Sequence, residues 1–308
     1  MTQTALADLR VLEWSHRVTG QYTGKLLADL GAEVIKLEPP EGDATRREGP
    51  FPQDRPHPER SGLFAYLNTN KRGITLDVTT ATGRALFVRL VQQVDVLIED
   101  HPPQEVEALG LTYPALAQHH PRLVMTSITP FGQSGPRRSW RGSHLTSFHA
   151  SGQGYLLPPG TRFPERPPVV AGVRAGDYQC AFGAAIATLG ALLWRETSGQ
   201  GQHVDLSEQE WGLNLNAITL ARFFLDGFVE SRQSQRYTFL GKLPCKDGYV
   251  VILTPEERHW WQLVEMMGRP GLGPGGEVRR RRQPPARRSP ADGARRRVAA
   301  RQEQARAP

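Results

Sequence analysis

Asp177 heads the stretch GDYQCAFGAAIATLGALLWRETSGQGQHVDLS, which reads as a helix from Tyr178 to Glu196 followed by a strand. A carboxylate there has two uses. As an N-cap it accepts hydrogen bonds from the first free amides. As a chemical group it stays ionised, because the positive helix end and the amide donors favour the charged form. In a dry cleft such a carboxylate can attack an activated acyl carbon. Asn70, Lys71 and Arg72 form a second group, with side chains suited to phosphate recognition and equally suited to a solvated turn. Arg46, in GDATR, is a further partner for a phosphate or carboxylate. His16, Arg17, Val18 and Thr19 follow the first apolar strand, and ligands of open α/β sheets bind beyond the carboxyl ends of strands.

These residues need a scaffold, and the pattern supplies one. Apolar runs at 9–14, 33–38, 94–99, 123–129 and 203–207 read as strands. Residues 20–31, 80–93, 178–196 and 211–225 read as helices, with a shorter one at 144–150 and apolar residues clustered at Ile74, Leu76 and Val78. Strand and helix in alternation predict a mainly parallel sheet covered by helices. No G-x-G-x-x-G follows the first strand, so a nicotinamide-binding fingerprint is absent. Small residues from Gly183 to Ala191 let neighbouring backbone approach the long helix, which predicts that it is central. The segment 244–253 reads as a turn at Asp247 and Gly248 feeding an apolar strand, with a helix at 259–267.

Charge and length narrow the function classes. Of 38 basic and 31 acidic residues, 11 arginines and 3 acids lie in 271–308, which leaves 27 basic and 28 acidic before them. The body therefore has no global electrostatic reason to bind nucleic acid or an anionic membrane. Cys180 to Trp194, the longest apolar run, is too short to span a bilayer comfortably, and the N-terminus lacks the secretory pattern. Two cysteines make neither a disulfide framework nor a zinc cluster by spacing. A soluble cytoplasmic protein with no metal is the expectation. The stretch 271–308 has three readings: an arginine-rich arm that binds nucleic acid, a solvated tail, or a GC-rich gene read out of frame. The last is preferred, because the stretch has arginine without lysine and no aromatic residue.

Five separated motifs carry a resemblance. Besides the Asp177 segment they are VLEWSHRVTGQYTGKLLADLGAEVIKLEPPEGDATR (11–46), LNTNKRGITLDV (67–78), VDVLIED with ALGLTY (94–113), and PRLVMTSITPFGQSGP (121–136); PCKDGYVVI (244–252) agrees with them. Over residues 6 to 270 the chain resembles the class III coenzyme A transferases, the formyl-CoA and carnitine-CoA transferase family. The resemblance implies an α/β fold, with a Rossmann-like parallel sheet in a large domain and the start of a smaller α/β domain. Residues 1–208 would form the CoA-binding large domain, 209–241 a connecting helix and linker, 242–270 the start of the small domain, and 271–308 a disordered tail.

It implies ping-pong chemistry in which Asp177 is the nucleophile, coenzyme A is a substrate, and no cofactor is tightly bound. An acyl-CoA and a carboxylic acid are the expected partners. The resemblance places His16, Arg17, Val18 and Thr19 at the thioester end of coenzyme A and Asn70, Lys71 and Arg72 near its nucleotide. It also implies an interlocked homodimer, which a chain cut short after residue 270 is expected not to form.

The chain departs from the family at two places. Where members have E-N-F-R-P-G it has Glu99, Asp100, His101, Pro102, Pro103 and Gln104, which bears on coenzyme binding at Asp100 and His101. Where they have G-Y-D-L it has GSHL, so His144 stands in place of an Asp, as an acid/base group or a loop histidine. Two alternatives remain. One is an α-methylacyl-CoA racemase of the same fold, whose proton-transfer His and Glu would fall at Ser143 and Thr254. The other is an inactive coenzyme- or nucleic-acid-binding protein.

Overall fold

The computed structural model describes residues 4–159, 161, 163–233, 240–253 and 256–268. The chain divides into two compact units, Met1–Gln235 and Arg236–Pro308.

In the first unit, β1 (Arg10–Trp14), α1 (Val18–Asp29), β2 (Glu33–Glu38), α2 (Gly62–Leu67), β3 (Lys71–Thr75) and α3 (Ala81–Val91) come first. They are followed by β4 (Val96–Glu99), α4 (Pro103–Leu109), α5 (Tyr113–Ala117) and β5 (Val124–Thr129). After these come α6 (His144–Ala150), α7 (Ala175–Ser198), β6 (His203–Ser207), α8 (Glu208–Asn214) and α9 (Ala217–Asp226). All six strands are parallel, in the order β3-β2-β1-β4-β5-β6. The chain reverses its direction across the sheet between β1 and β4, which opens a crevice beyond their carboxyl ends.

Each face of the sheet carries its own core. Val11, Val34, Ile98 and Ile128 pack with Leu27 of α1 and with Cys180, Ala184 and Ala191 of α7. Leu12, Leu37, Leu97 and Met125 pack with Phe87 of α3, Val106 of α4 and Leu116 of α5 on the other side. Burial on both faces is why β5 and β4, up to its last residue Glu99, are continuous apolar or small-polar runs without alternation. The small residues of α7 do what their spacing predicted: Thr23 of α1 donates to Ala181 O at 3.4 Å, and the helix lies against β5 and β6.

Three local differences from the sequence reading have physical causes. β3 is an exposed edge strand with little apolar content, so its pattern marked only Ile74 as strand-like. Residues 211–225 form two helices, because the backbone leaves helical values at Asn216, the residue before the second, whose side chain donates to Ser151 O at 3.1 Å. Both of these helices belong to the first unit, whereas 209–241 was read as connecting chain.

In the second unit β7 (Leu240–Cys245) and β8 (Gly248–Leu253) form an antiparallel hairpin that turns on Lys246 and Asp247, and α10 (Glu257–Met266) follows. The expected tail at 271–308 and Thr254 lie outside the described residues. Among the described residues no helix is long and apolar enough to cross a membrane.

Candidate active site

The carboxyl ends of β1 and β4 lie side by side, with Trp14 paired to Glu99. The residues that follow each strand meet there. Buried Asp100 accepts hydrogen bonds from the backbone amides of His16 and Arg17, each at 2.9 Å, and its Oδ1 lies 3.1 Å from His16 Nδ1. Burial opposes its ionisation, but the His16 ring and amide outweigh burial and hold the carboxyl at about 2. The Asp100 charge in turn raises His16 above its ordinary value. Burial pushes His101 down to about 4 and lifts Glu99 to about 7. Gly20 lets α1 come this close: a Cβ there would sit 2.6 Å from Asp100 Oδ2 and from Ser15 Cβ. The crevice is a cavity of about 570 Å³, lined among others by Ser15, His16, Asp43, Arg47, His101 and Glu105.

Arg17 turns the other way along the same mouth. It donates to both oxygens of Glu208 at 2.9 and 3.0 Å and to Gly142 O at 3.1 Å. Buried Glu208, at the start of α8, also accepts from Thr19 Oγ1 at 3.1 Å and Ser147 Oγ at 2.6 Å. One carboxylate thus ties together the loop after β1, α6 and α8.

Asp177 sits in the first turn of α7, buried. The two preceding positions with φ in the left-handed region, Val173 at 52° and Arg174 at 54°, bring the chain into that turn. Such values strain a β-branched residue, and strain of this kind clusters at functional sites. Arg174 occupies the cap position, so Asp177 is not the N-cap. Its Oδ1 lies 3.1 Å from Nδ1 of His144, the first residue of α6, and its Oδ2 lies 4.0 Å from Arg174 Nη1. The hydrogen bond to Asp177, opposed by partial burial, raises His144 above the usual histidine range. Arg174 also pairs with Glu48. The arrangement is a shielded carboxylate with an imidazole on one side and a guanidinium on the other.

The structure brings together His16, Arg17, Val18, Thr19, Asp100 and His101 at one mouth, and His144 with Asp177 beside it. It does not bring the other expected residues there. Lys71 is enclosed, 2.6 Å from Glu13 Oε2, 2.7 Å from Gln21 O and 2.9 Å from Asn68 Oδ1, and burial pushes it down to about 8. That corrects the expectation that it meets a phosphate: its charge is committed to a buried carboxylate. Asn70 donates to Asp29 at 2.8 Å, and Arg72 to Glu33, the first residue of β2, at 2.8 Å. Both therefore lie toward the amino ends of the strands, away from the crevice. Arg46 is held by Glu38 at 2.7 and 2.8 Å and by Glu59 at 3.0 Å, with its guanidinium over Phe64, while its neighbour Arg47 lines the cavity. Glu208 and Arg47 were missed. Only proximity in the fold singles them out, since Glu208 is 191 positions from the arginine it holds.

Comparison with known proteins fits this geometry. A family profile described as CoA-transferase family III matches residues 6–306, beyond the residue 270 at which the sequence reading ended its resemblance. The succinyl-CoA:mesaconate CoA-transferase of Haloarcula hispanica is 34% identical over 272 residues, covering 87% of this chain and 68% of that protein. The formyl-CoA:oxalate CoA-transferase of Streptomyces avermitilis is 32% identical, covering 87% and 68%. A CAIB/BAIF family protein from Brucella suis, of known crystal structure, superposes with a TM-score of 0.71 at 31% identity, covering 88% and 71%. The chain spans about two thirds of the length of these curated relatives.

Proposed function

The chain belongs to CoA-transferase family III, and we propose that it moves coenzyme A between an acyl-CoA and a carboxylic acid through a covalent intermediate on Asp177. The observation that carries this reading is the buried Asp177 carboxylate, held by His144 at 3.1 Å and left uncapped by its own helix.

An Asp177 oxygen attacks the thioester carbonyl, the C–S bond breaks, and the coenzyme leaves as thiolate from a mixed anhydride. The thiolate then attacks the Asp177 carboxyl carbon and expels the donor carboxylate, which leaves an aspartyl-CoA thioester. The acceptor carboxylate attacks that carbonyl and releases thiolate from a second anhydride. Thiolate attack on the acceptor's acyl carbon forms the new acyl-CoA and regenerates the Asp177 carboxylate. No net proton is taken up or lost. Throughout the cycle one negative charge passes among carboxylate, oxyanion and thiolate within reach of His144, whose protonated form Asp177 favours, and of Arg174, which stabilise it electrostatically. The cavity beyond β1 and β4 takes the distal part of the coenzyme, with Arg47 on its rim. The loop 15–17 joins that cavity to the Arg17–Glu208 pair.

The functional unit we propose is a homodimer, against the expectation that a chain whose pattern breaks after residue 270 does not form one. Ile186, Leu193 and Trp194 form an exposed apolar stripe at helical spacing along α7. A second copy of the chain covers it, as the resemblance implies.

The reading is tested by assaying CoA transfer from succinyl-CoA to a panel of small carboxylic acids. Asp177→Asn is expected to abolish transfer with the fold intact, and transfer retained within a few fold would remove Asp177 from the mechanism. A second reading, proton exchange beside the thioester, draws on the same His144–Asp177 pair. Against it, Ser143, at the racemase histidine position, is spent on capping α6 through Thr146. Deuterium incorporation at the α-carbon of a 2-methylacyl-CoA would support that reading.

A further inference from the structure

We propose that His16, Asp100 and His101 form a binding site for a divalent first-row transition-metal ion, opening onto the cavity beyond β1 and β4. One donor atom from each residue lies within 4.8 Å of the others. His16 Nδ1 and Asp100 Oδ1 are 3.1 Å apart, close to the edge of a tetrahedron whose metal bonds are roughly 2.0–2.1 Å.

His101 supplies the second, independent observation. It is buried to 8% exposure, and its Nδ1 has no hydrogen-bond partner among the described residues. A buried imidazole nitrogen without a partner is costly, so its presence calls for an explanation, and an ion is one. The ring is held in place, its centroid 3.9 Å from the Trp14 ring and 4.9 Å from the His16 ring.

Two imidazoles and one carboxylate suit zinc, nickel, cobalt or iron(II), whereas magnesium and calcium prefer all-oxygen sites. Asp100 is oriented as a ligand needs to be, because the amides of His16 and Arg17 fix its carboxylate. Binding displaces the proton that His16 shares with Asp100, and the set closes as the donor atoms draw in from the 4.8 Å within which they lie. His16 and His101 both line the cavity, so the remaining coordination positions face it and accept water or an anionic oxygen. Asp100 and His101 are also two positions at which this chain leaves the E-N-F-R-P-G pattern, and each departure adds a donor. The site revises the expectation, drawn from cysteine spacing alone, that no metal binds.

The test uses the untagged full chain, stripped with chelator and titrated with Zn²⁺ by calorimetry. One saturable equivalent is expected, and Co²⁺ should give the visible absorption of a low-symmetry site. His101→Phe and His16→Ala should each weaken Zn²⁺ binding by more than about tenfold. His119→Gln, an exposed histidine elsewhere, should leave it unchanged. Circular dichroism confirms that each variant is folded. Should His101→Phe unfold, His16→Ala alone decides, because its side chain is partly exposed. Absence of a one-equivalent site, or equal affinity in wild type and both ligand variants, would overturn the proposal. The readout is metal binding, so its failure leaves the CoA-transfer reading untouched.

Discussion

His144 and Asp177 share a hydrogen bond of 3.1 Å that joins the first residue of α6 to the first turn of α7, 33 positions later in the chain. The bond sets the protonation of the histidine and gives the carboxylate a partner outside its own helix.

The pH dependence of stability follows from that bond. His144 is raised above its ordinary 6.5, chiefly by the hydrogen bond to Asp177. Protonation therefore favours the folded chain. The stability that His144 adds is fully present below pH 6.5 and is lost as the pH rises through the raised folded value. Wild type should exceed His144→Gln in Tm at pH 5.5, and the gap should narrow as the pH rises. The gap should stay below about 1 kcal/mol, because the pair is partly solvated. A gap that widens with rising pH would contradict the assignment.

Lys71 and Arg72 are adjacent yet should behave differently. Lys71→Ala leaves the buried Glu13 and Lys36 network short of a cation, and should destabilise by about 3 kcal/mol in urea unfolding. Arg72→Ala removes an exposed pair with Glu33 and should cost under about 0.5 kcal/mol. Equal small effects would place the Lys71 ammonium in solvent.

Glu208 should matter to both fold and catalysis. Glu208→Ala strands Arg17 and frees Thr19 and Ser147, so a loss of about 3 kcal/mol and a fall in CoA-transfer rate are expected. Full activity in a folded Glu208→Ala protein would show that the Arg17 loop needs no such anchor.

The stripe on α7 predicts association. Light scattering behind size exclusion should give a dimer mass for the wild type, and Leu193→Glu, at a position 75% exposed within the chain, should give a monomer. A monomeric wild type would contradict the proposed unit.

The sequence showed the scaffold well because most of these strands are short apolar runs buried on both faces and set between helices, so the succession of strand and helix was plain from Arg10 to Thr129. It failed at β3, an exposed edge, and at Asn216, where the backbone leaves helical values within a continuous helical pattern. At the site, Asp177 and the loop 16–19 were legible because their chemistry follows from local position. The N-K-R cluster misled because the residue types that bind phosphate also build ion pairs, and only tertiary packing tells which occurs. Glu208 was invisible for the converse reason, since its partners come from three distant segments. His144 was legible as a departure, but its bond to Asp177 required the fold.

The most direct measurement is the mass of the protein after incubation with an acyl-CoA. Peptide mass spectrometry should find a coenzyme A or acyl adduct on Asp177, discharged by an added carboxylic acid and absent from Asp177→Asn. CoA transfer with no adduct at Asp177, or with the adduct on another residue, would contradict the account.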